Sequence, residues 1–187
     1  MRFSFVFVMA LLCATPAALA QSVSGTNPGE FTGEARRIYA EQLKSARALI
    51  GQKQFMEAIA ILDRLTTDRP REPQARFLKG VALTDSDKLD EAITTFRGVL
   101  ADFPELPEPY NNLAVLYARK GEYELARIEL EAAIKAAPDY GVAYENLGDV
   151  HARLAAQNYE RALARDSKNK TAPAKLKVVR DILATKP

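Results

Sequence analysis

Few side chains in this sequence could do chemistry. It has one histidine, His151, and one cysteine, Cys13, far apart in the chain. Zinc sites need three or four nitrogen, sulfur or carboxylate ligands, and a Cys–His nucleophile needs both partners in one site. The stretch TDSDKLDE, residues 84–91, alternates Asp85 and Asp87 as a calcium loop does. It lacks the central glycine, however, and Leu89 stands at a ligand position. Glu129 and Glu131 sit two apart on a helical pattern, on its solvated side. Asn169-Lys170-Thr171 matches a glycosylation acceptor, a triplet common by chance. There is no glycine-rich phosphate loop and no serine nucleophile motif. The expectation is a protein that is not an enzyme, with no cofactor, no metal and no catalytic residue.

Charge points the same way. Lys and Arg number 26 against 24 Asp and Glu, and the two signs are interspersed along the chain. A nucleic-acid or anionic-membrane partner would call for a basic block or face. The N-terminus has its own pattern. MRFSFVFVMALLCATPAALAQS places Arg2 before a largely apolar run from Phe3 to Cys13, then Thr15-Pro16 and Ala18-Leu19-Ala20. This is the order of a cleaved secretory signal, and the run is short for a membrane anchor. Leu12 before Cys13 is too bulky for lipoprotein processing. Residues 1–20 are therefore expected to be a signal peptide cut after Ala20, leaving a mature chain without cysteine. An exported, periplasmic location follows, with no integral membrane segment after cleavage. Residues 21–31, rich in Ser, Gly, Asn and Pro, read as a flexible leader.

From there the pattern is helical throughout. Thr32 precedes a stripe of Ala35, Tyr39, Leu43, Ala46 and Leu49, which predicts a helix to about Ile50. A second helix, about Phe55 to Thr67, turns Ala58, Leu62 and Leu65 inward and stops before Pro70. The same layout then recurs. Tyr110, Leu113, Ala114 and Tyr117 have counterparts thirty-four residues on at Tyr144, Leu147, Gly148 and His151. Ala126, Leu130, Ala133 and Pro138 have counterparts at Ala92, Phe96, Val99 and Pro104, and again at Ala58, Leu62, Leu65 and Pro70. A fixed period of this length marks a stack of supersecondary units, each unable to bury its apolar face alone. No segment alternates with the two-residue period of a strand.

With Gly121 and Tyr123 added, the unit beginning at Pro107 resembles the tetratricopeptide repeat (TPR), a helix pair of thirty-four residues. The resemblance spans about 36–166 and implies an all-α solenoid with units at 36–70, 71–104, 105–138 and a shortened 139–166, inside a repeat region of 32–170. Small residues such as Gly80, Ala92, Ala114 and Ala126 would sit where the two helices of a unit cross. The first unit departs from the pattern at Gln42 and Ser45, and the second at Lys79. The fourth loses five residues where the third has its turn, GEYEL. Its apolar spacing and lack of Gly or Pro from Asp149 to Arg165 predict one continuous helix over about 142–166. A capping helix is expected within 171–187, at Ala172 to Ala184, covering its neighbour with Leu176, Val179, Ile182 and Leu183. His151 would be partly buried in place of an aromatic.

The resemblance also implies a concave face lined by first helices, where members of the family hold protein segments. Carried over position by position, its lining is Lys44, Arg47, Phe77, Leu78, Val81, Asn111, Asn112, Val115, Arg119, Glu145, Asn146, Asp149 and Arg153. Phe77, Leu78 and Val81 read as a partly exposed apolar pad. Asn112 and Asn146 recur one period apart, and each amide can give a donor and an acceptor to a peptide backbone. Glu108 and Val142 stand where a clamp for acidic tails would want cations. The expectation is a monomeric adaptor for a protein or peptide partner. The alternative is a structural or assembly component of a cell-envelope machine (secretion, pilus or polysaccharide export) that uses its convex or terminal surfaces.

Overall fold

The computed structural model describes residues 33–184, so the signal and leader expected at 1–31 lie outside the described residues. All regular structure among these residues is helical. The elements are α1 (Gly33–Gly51), α2 (Phe55–Asp68), α3 (Pro73–Asp85), α4 (Leu89–Asp102), α5 (Pro107–Arg119), α6 (Tyr123–Ala136), α7 (Gly141–Arg165) and α8 (Ala172–Ala184). The protein is all-α, of the helix-pair solenoid class. It divides into two compact units, one ending at Thr95 and the other resuming at Phe96.

In the first unit α1 and α2 both pack on α3. Tyr39, Leu43, Ala46 and Ile50 form the inner stripe of α1, so Ile50 takes the place expected of Leu49. Ala58, Leu62 and Leu65 face inward from α2 as their spacing predicts. Gln42 and Ser45 are exposed, which is why polar residues suffice there. Lys79 is accommodated differently, since its Nζ donates to Asp63 Oδ1 on α2. Leu78 next to it is buried.

In the second unit α5 packs on α6, α6 on α7, and α7 on α8. Ala126 is fully buried, with Leu130 and Ala133 on the same stripe of α6. Arg97 joins the end of α4 to α5, its Nη2 donating to the Tyr117 hydroxyl at 2.6 Å.

Two kinds of turn alternate along the chain. Within a pair, the first helix ends in a left-handed residue: Lys53 at φ 61°, Asp87 at φ 63° and Gly121 at φ 78°. They are one period apart. The next amide donates five residues back in each case, Gln54 to Leu49, Lys88 to Leu83 and Glu122 to Tyr117. Paired with the three-residue bonds Lys53 to Ile50, Asp87 to Thr84 and Gly121 to Ala118, this is the Schellman closure of a helix end. Between pairs the amides of Arg69, Phe103 and Ala137 donate four residues back, to Leu65, Val99 and Ala133.

α7 shows what the missing residues did. The Asp166 amide bonds Ala162 as Ala137 bonds Ala133, but twenty-nine residues on rather than thirty-four. The lost segment is the one that holds the left-handed residue. Without it the helix cannot close, and two helices run as one over 25 residues. His151 is exposed rather than partly buried, because no second helix folds back over it.

α8 occupies the register of another first helix. Ala172 is buried as are Ala75, Pro109 and Ala143 at the equivalent places. Leu176 is buried and Val179 and Leu183 are half-buried, but Ile182, expected to face inward, is 55% exposed. It lies on the other side of α8 with Val178, outside the Leu176–Val179–Leu183 stripe that meets α7. Asn169 caps the helix, its Oδ1 accepting the amides of Thr171 and Ala172 at 3.1 and 2.9 Å. That gives this asparagine a structural role. Lys177, at the place of Gly80 and Ala114, points to solvent and pairs with Asp181.

Candidate functional site

In the first unit the pad is not a surface. Phe77, Leu78 and Val81 are buried, at 3%, 2% and 0% exposure. α3 is buried along most of its length from Ala75 to Thr84, and α1 and α2 both pack on it. These residues are core, and the expectation of a partly exposed pad is corrected. Lys44 is exposed and Arg47 half-buried on α1.

In the second unit the lining residues of α5 and α7 do come together. Asn146 Nδ2 donates to Asn111 Oδ1 at 2.8 Å, joining the two helices through a fully buried amide pair. Asn112 turns the other way, and its Nδ2 donates to the Glu108 carbonyl at 2.8 Å, one turn back on α5. Sequence reasoning treated Asn112 and Asn146 as equivalent, but only Asn146 reaches across, and its partner Asn111 is the third amide of the group. Asn111 Nδ2 and Asn112 Oδ1 are buried and have no hydrogen-bond partner among the described residues. Leaving such an atom unsatisfied costs about 1–3 kcal/mol.

Around the amides lie carboxylates. Glu108 is one turn before Asn111 and Asn112, and its Oε2 is buried without a partner. Tyr140, at the turn before α7, has its hydroxyl pushed up to about 12 by burial and then by the charge of Glu108. Glu145 is exposed beside Asn146, and Asp149 is half-buried one turn on. Burial raises the Asp149 carboxyl above the usual range, Arg153 opposes the rise and Glu145 adds to it. Arg153 lies over the Tyr123 ring, 5.8 Å from its centroid. Val115 is buried next to the amides and Arg119 is half-buried at the end of α5. Among the described residues no group of His, Cys, Asp and Glu could hold a metal ion. None of their helices is long and apolar enough to cross a membrane.

Helix pairs with a thirty-four-residue period, small residues at their crossing and left-handed closures define the class. The tetratricopeptide repeat matches residues 43–107 and, in a second form, 83–154. The chain belongs to the tetratricopeptide repeat family. It is 33% identical over 92 residues, 49% of its length, to the TPR repeat-containing thioredoxin TTL4 of Arabidopsis thaliana, and spans 14% of that protein. Among solved structures it resembles YrrB, "a TPR protein with an unusual peptide-binding site", at TM-score 0.52 and 27% identity, covering 63% of this chain and 57% of that one. It also resembles the first TPR of Spaghetti (RPAP3) bound to the HSP90 peptide SRMEEVD, at TM-score 0.57 and 16% identity, covering 63% and 93%.

Proposed function

We propose that this protein is a non-enzymatic, exported adaptor that holds a segment of a partner protein against the α5–α7 face. One observation carries the reading. Asn111 Nδ2 is an unsatisfied donor and Asn112 Oδ1 an unsatisfied acceptor on consecutive residues of α5, the first in the amide that bonds Asn146. An extended peptide has the complementary pair at every residue. Both side chains are buried, at 0% and 1% exposure, so a segment must displace what covers them; binding would then relieve the desolvation cost and fix the segment through its backbone. The peptide-binding structures this chain resembles support segment capture, and the N-terminal sequence pattern supports export to the periplasm.

The test is crosslinked capture from the cell envelope, comparing wild type with Asn111→Ala and Asn112→Ala. Partner loss by variants that melt within a few degrees of wild type is the expected outcome. Capture unchanged in both would move the site off this face. A mature N-terminus at Gln21, read from the exported protein, is expected on the export reading. A mass that retains residues 1–20 would remove it.

A second reading has its own observation. Leu125 and Ile128 on α6 are 42% and 50% exposed, on the helix face opposite Ala126 and Leu130. They favour a structural role in an envelope assembly through second-helix surfaces. Leu125→Ser and Ile128→Ser would then abolish assembly while sparing peptide capture.

A further inference from the structure

The amide face has a charge as well as a backbone-binding group. Glu108 stands one turn before Asn111 on α5, Glu145 and Asp149 flank Asn146 on α7, and none of the three is in salt-bridge distance of a Lys or Arg among the described residues. Some carboxylates elsewhere on this unit are paired. Arg127 takes both Glu124 and Glu131, and Arg180 takes Glu160. The nearest cation on α7, Arg153, is one turn beyond Asp149 and lies over Tyr123.

We infer that this face selects a partner segment carrying Lys or Arg, the cation meeting Glu108 and Glu145 while its backbone meets Asn111 and Asn112. The inference rests on the segment-binding reading above. A carboxylate with a buried oxygen and no partner gains most from a charge-assisted donor, and Glu108 Oε2 is such an atom. Asn111 and Asn112, fully buried and half-satisfied, point to an occupant independently of the charge. The raised Asp149 carboxyl fits the same picture, since nothing on the face fully offsets its burial. An acidic segment would add like charge to three carboxylates. Complementary charge of this kind sets specificity and association rate more than raw affinity.

The experiment is panning of a displayed random decapeptide library against the purified protein, followed by titration of one enriched and labelled peptide. The expected result is a surplus of Lys and Arg over Asp and Glu, with binding that weakens as salt rises. The double variant Glu108→Gln/Glu145→Gln should lose that surplus and bind the labelled peptide on the order of tenfold more weakly. Glu145→Lys should shift enrichment toward acidic peptides. Enriched peptides that are neutral or acidic would overturn the charge inference and leave segment binding intact. A surplus unchanged in the double variant would also overturn it. No enrichment of any peptide would sink the segment-binding reading itself.

Discussion

Three residues one period apart, Lys53, Asp87 and Gly121, adopt the same left-handed conformation, and only one is glycine. The left-handed helix region costs a side chain-bearing residue roughly 1–2 kcal/mol, while glycine pays more entropy on folding. Aspartate tolerates the region better than lysine does. Lys53→Gly is therefore expected to raise the melting temperature by a few degrees. Gly121→Ala should lower stability by about 1 kcal/mol. Thermal melts of the two variants check both signs. Glu129 gives a second expectation. Burial raises its carboxyl above the usual range, and Arg97 only partly offsets this. A raised folded value means the contribution to stability is fully present below the unfolded value and is lost as pH rises through the folded one. Glu129→Gln should thus be more stable than wild type at neutral pH, with the gap closing on acidification into the carboxylate range. A gap that widens at low pH would contradict the assignment. Burial also revises Phe77: a side chain 3% exposed in the core is expected to cost about 3–5 kcal/mol on conversion to alanine.

Elements were the most legible level. The period placed Ala58, Leu62 and Leu65, and the lack of Gly or Pro after Asp149 placed one long helix, because apolar spacing and propensity act within a segment. The burial of Phe77 was not legible, since it depends on contacts from outside α3, which spacing in α3 does not encode. The difference between Asn112 and Asn146 was legible and missed: the acceptor Asn111 stands thirty-five residues before Asn146, whereas Phe77, with no side-chain acceptor, stands thirty-five before Asn112, which uses a local carbonyl. Crossing distance was legible at Ala126, which is fully enclosed. Ala126→Leu should overpack the α5–α6 contact and cost about 1–3 kcal/mol, read by denaturant melts. For α7, inserting Gly-Glu-Tyr-Glu-Leu after Leu154 supplies the left-handed closure. The expected outcome is a helix pair in place of the fused helix, visible as new protease sensitivity at the insertion.

At the scale of the whole molecule, the fold class was readable from the period alone, while the charge of the proposed binding face rests on knowing that Asn111 and Asn146 pair between α5 and α7. The last helix matters to stability in the same way as any edge of a stack. Ala172 and Leu176 are its buried residues, with Val179 and Leu183 half-buried beside them. Deleting residues 171–187 would bare the side of α7 that they cover. A lower melting temperature and concentration-dependent light scattering are expected from the truncated protein.

Lys177 gives that edge a further property. A helix docking on the outer side of α8 would need a small residue where Gly80 and Ala114 stand in earlier units. It would meet instead an ammonium group paired with Asp181, flanked by the exposed Val178 and Ile182. Burying that group without new partners costs several kcal/mol, so an association of two copies over this side of α8 is expected to be disfavoured. Lys177→Ala with Asp181→Ala would remove the barrier and leave the apolar flanks. Sedimentation of that variant should show reversible self-association at concentrations where the wild-type protein sediments as one species.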